Sequence, residues 1–82
     1  MMTLNKTLIV TMEECGELTR ACAKVVRHGM DEDRKYRNNL MEELADVQAM
    51  IHLVVSAASF SPDYIEKLVD ERLEKMVNPH YE

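Results

Sequence analysis

The sequence predicts an all-α protein of three helices, at about residues 4–28, 40–59 and 62–77, that assemble into four-helix-type bundles through homo-oligomerisation. Three observations lead there. The composition is 46% hydrophobic and 30% charged with only 5% aromatic residues, two Gly, two Pro, no Trp and seven Met, which favours helix over sheet. Apolar residues recur at steps of three and four. Breaks in that pattern are confined to Gly29, to Ser61-Pro62-Asp63 and to Asn78-Pro79.

The first helix carries Leu4, Leu8, Met12, Cys15, Thr19, Cys22 and Val26 on one stripe. It ends with Lys24, Arg27 and His28 in its last turns and Gly29 behind them, the composition of a helix C-terminus. Met30 to Asn39 is polar and charge-dense and reads as a connection, Arg34-Lys35-Tyr36-Arg37 included. Asn39 with Glu42 resembles a capping box opening the second helix. That helix carries Leu40, Leu44, Val47, Ile51, Val54 and Ala58. Ser61 as N-cap, Pro62 at the first helical position and Asp63 in the first turn open the third. It carries Ile65, Leu68, Val69, Leu73 and Met76, and Asn78-Pro79 ends it.

Eighty-two residues make a single domain over 1–82. Fifteen acids against ten bases give a net charge of −5, which argues against a coat for nucleic acid or an anionic membrane. No run approaches the roughly 18–20 apolar residues of a membrane span, and residues 1–6 lack the pattern of a signal peptide. A cytoplasmic location is expected. Cys15 and Cys22 lie about 10 Å apart on one helix, too far to bridge, so buried, reduced thiols are expected.

The second helix is apolar on more than one side, because Met50, Leu53 and Ala57 widen its arc to about half the circumference. One partner helix covers less than that, and three helices of this size build a thin core. Both points argue for a dimer or a dimer of dimers.

The chemistry-bearing residues sit in Glu13-Glu14-Cys15-Gly16-Glu17 and Glu42-Glu43-Leu44-Ala45-Asp46. Glu14/Glu17 and Glu43/Asp46 are three residues apart, which stacks each pair on one side of its helix. Both pairs fall on the same flank of their helix's apolar stripe, shared with Val10 and Ala21 in one helix and with Met50, Leu53 and Ala57 in the other. Either pair alone reads as solvated surface charge. Four carboxylates converging between adjacent helices repel unless a positive charge sits among them, and no Lys or Arg occurs between Asn38 and Glu66. A divalent cation fits an all-oxygen set, Mg²⁺ with Mn²⁺ as the alternative. A di-iron site needs Glu-x-x-His pairs, which the three histidines do not supply. Gly16 suggests close packing or ligand room beside the carboxylates.

Glu-Glu-x-x-Glu (Glu13, Glu14, Glu17) followed by Glu-x-x-Asp (Glu43, Asp46) resembles the signature of the MazG-like all-α nucleoside triphosphate pyrophosphohydrolases. The wording over 12–18 and 42–51 is similar to short single-domain members, including forms carried by phages. The resemblance covers about residues 8–55. It implies Mg²⁺-dependent hydrolysis of a (d)NTP to the monophosphate and pyrophosphate, in a homodimer or homotetramer. It carries metal binding and catalysis to Glu14, Glu17, Glu43 and Asp46. Glu13 matches the motif but lies away from the other four on the wheel. Lys24 and Arg27 are the candidate phosphate-binding bases, since six of the ten Lys and Arg lie between Arg20 and Arg37. His28 reads as a helix-end cation, while His52 and His80 have no catalytic neighbour in sequence. Two other functions compete: a phosphoribosyl-ATP pyrophosphohydrolase on the same scaffold, and a non-enzymatic module with a solvated acidic face.

Overall fold

The structure is a computed structural model and describes residues 2–30 and 34–77. Three helices follow in order, α1 (Leu4–His28), α2 (Lys35–Ala57) and α3 (Pro62–Met76). The Thr3 hydroxyl caps α1 by accepting from the Lys6 N–H at 3.2 Å. Its other end closes at Gly29, whose φ of 78° is open to glycine at no steric cost, with the Gly29 N–H on the Val25 carbonyl. In α3 the Ser61 hydroxyl accepts from the Tyr64 N–H, with Pro62 beside it. Asn78-Pro79 and His80 fall outside the described residues.

The second helix differs from the sequence expectation at both ends. It begins at Lys35, so Lys35, Tyr36 and Arg37 are helical, and Asn39 lies inside the helix. Arg34, at a φ of 60° and with no side-chain cap, takes the place given to Asn39. The cause is a tertiary contact: Tyr36 lies flat on His28, ring centroids 4.7 Å apart and planes 14° from parallel. That stack extends α2 beyond its capping signal. At the far end the helix stops at Ala57 rather than 59. Ser59 turns left-handed (φ 58°) and the Phe60 N–H reaches back to the Val55 carbonyl at 3.0 Å, closing the turn before α3.

α1 and α2 form an antiparallel hairpin: His28 meets Tyr36 near the connection, while Glu14 meets Glu43 and Asp46 at mid-length. The seam between them has alternating four- and three-residue steps. On α1 it runs Thr7, Thr11, Glu14, Leu18, Ala21, Val25 and His28, and on α2 Tyr36, Leu40, Glu43, Val47, Met50, Val54 and Ala57. The three buried residues among those described, Thr7, Ala21 and Met50, are all seam residues. The Thr7 hydroxyl is satisfied by donating to the Thr3 carbonyl.

The stripe expected to be the core of α1 is therefore not the one that packs. Leu4, Leu8, Met12 and Val26 are exposed, the last at 87%. Cys15 and Cys22, expected to be buried, are free and exposed for the same reason. α3 packs along neither of the other helices; only its first turns approach α2, where Ile65 and Val69 flank a groove with Ile51, His52 and Val55. The molecule is a slab one helix thick, 43 × 35 × 14 Å. Its radius of gyration is 15.3 Å, against about 12 Å for a compact chain of this length.

Gly16 does not serve close packing within the chain, since an added Cβ would meet nothing within 4 Å. At 100° per residue it lies across α1 from Glu14, not beside it. Gly16→Ala is expected to raise the melting temperature by about 4–8 °C, the equivalent of about 1 kcal/mol of helix propensity. A lower melting temperature would mean that another chain's backbone rests on that face.

Candidate metal centre

The seam carries a carboxylate at its third position on α1, Glu14, and at its third on α2, Glu43. Asp46 follows Glu43 by three residues and lies at the seam's edge. One carboxylate oxygen from each of Glu14, Glu43 and Asp46 lies within 4.8 Å of the others. Glu14 and Glu43 are half-buried and Asp46 is exposed. Glu17, one turn beyond Glu14, is exposed and accepts a 2.9 Å hydrogen bond from the Arg20 guanidinium. Its negative charge still acts on Glu43.

Glu43 is the centre of this group. Its Oε2 is out of contact with solvent and has no hydrogen-bond partner. The carboxyl is held above its ordinary range, first by loss of hydration, then by the charges of Glu17, Asp46, Glu14 and Glu42. An oxygen aimed inward without a donor, amid four other carboxylates, needs either a proton or a cation. The donors are oxygens alone, the chemistry of a hard divalent ion that keeps part of its water shell.

Of the sequence candidates, the hairpin thus brings together Glu14, Glu43 and Asp46, with Glu17 adjacent and tied to Arg20. Lys24 and Arg27 stand exposed further along α1, seven residues beyond Glu17 in the case of Lys24. Glu13 is exposed. Two relevant residues escape a search for acidic motifs. Arg20 was legible as an opposite charge three residues after Glu17. Tyr36 was not, because the stretch around it reads as a connection.

The electrostatics carry a pH signature. Between pH 4.5 and Glu43's raised value, the folded chain holds more protons than the unfolded one, so stability falls as pH rises through that window. In the presence of a chelator, Glu43→Gln is expected to melt higher than the wild type at neutral pH. The gap should close as pH falls below 4.5, where both states of the wild type are protonated. A variant that melts below the wild type at neutral pH would mean that Glu43 has a favourable partner.

No helix among the described residues is long and apolar enough to cross a membrane. No curated protein and no solved structure shows significant similarity to the chain. The sequence profile of the MazG nucleotide pyrophosphohydrolase domain, in contrast, matches residues 2–81. An all-helical chain, a hairpin with carboxylates converging at mid-length and a match over almost the whole length lead to one conclusion: the protein belongs to the MazG nucleotide pyrophosphohydrolase family.

Proposed function

We propose that the chain hydrolyses a nucleoside or deoxynucleoside triphosphate at the α–β phosphoanhydride, releasing the monophosphate and pyrophosphate, with Mg²⁺ (or Mn²⁺) held by Glu14, Glu17, Glu43 and Asp46. The observation that carries this reading is the unpartnered inward oxygen of Glu43 among converging carboxylates. Joining that set requires Glu17 to give up Arg20, an exposed i,i+3 pair worth only about 0.2–1 kcal/mol. Arg20 would then be free to face the incoming phosphates.

A bound divalent ion supplies charge neutralisation for the phosphate oxygens and a lowered pKa for water. The chain's own residues do the rest. Glu14 and Glu43, fixed by the seam, would hold the ion that a triphosphate's oxygens meet. One of the more exposed pair, Glu17 or Asp46, orders the attacking water and takes its proton. Lys24 and Arg27 are the bases that meet the phosphate chain, on the side of α1 leading away from the carboxylates. Family membership favours this over an acidic interaction module.

The functional form is a homo-oligomer, a dimer or a tetramer. Leu8, Ile51 and Phe60 surround an open apolar groove of about 240 Å³ and remain 40%, 46% and 55% exposed. A lone chain that, among its described residues, buries only Ala21 and Met50 of the apolar ones lacks the core a domain of this size needs. The expected setting is the cytoplasm, where nucleotides and Mg²⁺ occur together.

Glu17→Gln and Asp46→Asn should each abolish pyrophosphate release from a panel of NTPs and dNTPs with Mg²⁺ while leaving the metal-free melting temperature level or higher, since each removes one of several repelling charges. Loss of stability with activity retained would overturn the metal-site reading. Lys24→Ala or Arg27→Ala should raise KM or lower kcat with the fold intact, and wild-type kinetics from both would return them to a solvated face. Light scattering at micromolar concentration should report a dimer or tetramer, and a well-folded monomer would defeat the assembly argument.

A further inference from the structure

The hairpin is chemically polarised along its length. Carboxylates gather at mid-length, and the end near the connection carries Lys24, Arg27, Arg34, Lys35 and Arg37 around one aromatic feature, the His28–Tyr36 stack. His28 is exposed and Tyr36 half-buried, so the imidazole forms the outer layer of the pair. The Lys35 ammonium lies 5.6 Å from the centre of the Tyr36 ring, which adds positive charge to this platform. Tyr36 and Glu43 are seven residues apart on the same side of α2, a separation of about 10 Å along the helix. That is a span a nucleotide bridges from its base across the sugar to its phosphates.

The geometry points to the His28–Tyr36 stack as the base-binding platform of the enzyme: a planar aromatic ring system lies against the outer face of His28, with its phosphates directed along the seam toward Glu14, Glu43 and Asp46. The ligand is a nucleobase, recognised through its π-face and not through an edge, because His28 offers a ring face where exposed side chains elsewhere near the site offer charge. Stacking of this kind tolerates every base, so the platform selects for the presence of a base more than for its identity. Tyr36 acts as a positioning residue, holding the imidazole flat from beneath. This rests on the triphosphate reading of the carboxylate site.

The test pairs binding with kinetics on the full chain in Mg²⁺. The binding probe is 2-aminopurine riboside triphosphate, whose emission is quenched when its base stacks. Wild type and His28→Phe should both quench it. His28→Ala should abolish quenching and raise KM for ATP about tenfold with kcat retained, whereas the inhibition constant of inorganic tripolyphosphate, which has no base, should not change. His28 is exposed, so this variant does not depend on repacking, and Tyr36→Phe, which preserves the stack, should behave as wild type. Wild-type quenching and KM in His28→Ala would overturn the platform. So would an equal loss of nucleotide and tripolyphosphate binding, which would mean that His28 acts only through structure or charge. Quenching without any hydrolysis by the wild type would instead sink the pyrophosphohydrolase reading of a triphosphate substrate and leave the platform standing.

Discussion

A carboxylate sits where a helical hairpin ordinarily places an apolar side chain, and the rest of the site follows from that position. The seam steps that bury Ala21 and Met50 also carry Glu14 and Glu43 into the interface. Glu43 loses hydration there and gains no donor for its Oε2. Such an arrangement opposes folding in the bare chain. Asp46 and Glu17 sit one turn on, toward water, so the group is anchored inside and open outside. A hard cation can reach it without dismantling the hairpin.

The same seam explains which parts of the fold were legible. The bounds of α1 and the start of α3 were marked by local chemistry, with Gly29 at the one end and Ser61-Pro62 at the other, and the structure keeps both. The pairing of carboxylates three residues apart was legible because helical spacing alone places such residues together. The packing face of α1 was not. Periodicity selects the most apolar stripe, and Leu4, Leu8, Met12 and Val26 outweigh a seam that contains Thr7, Thr11 and Glu14. Because Thr7, Thr11 and Glu14 occupy seam positions, the signal that finds ordinary cores points to the wrong side of the helix. In α2 the two stripes share Leu40, Val47 and Val54, and the error there is smaller.

The start of α2 illustrates a different limit. Asn39 and Glu42 form an acceptable local cap, yet the helix runs on to Lys35 because Tyr36 finds His28 across the hairpin. No window of neighbouring residues contains that contact. The residue the local pattern hides is also the one that closes the connection end of the seam, opposite in character to the carboxylates. Acidic at mid-length and basic with an aromatic face at its end, the hairpin is chemically polarised along its length.

A slab 14 Å thick has no interior in the usual sense. Its two broad faces are both surface, and large apolar side chains such as Leu8, Ile51 and Leu73 stand exposed. Substitutions at positions such as Leu8, Ile51 or Leu73 therefore have little to disturb inside the chain. Under the proposed assembly, their effect should appear in dilution behaviour, as a shift in the concentration at which specific activity begins to fall. Drift at these positions would then be filtered through assembly, and so by how abundantly the cell makes the chain.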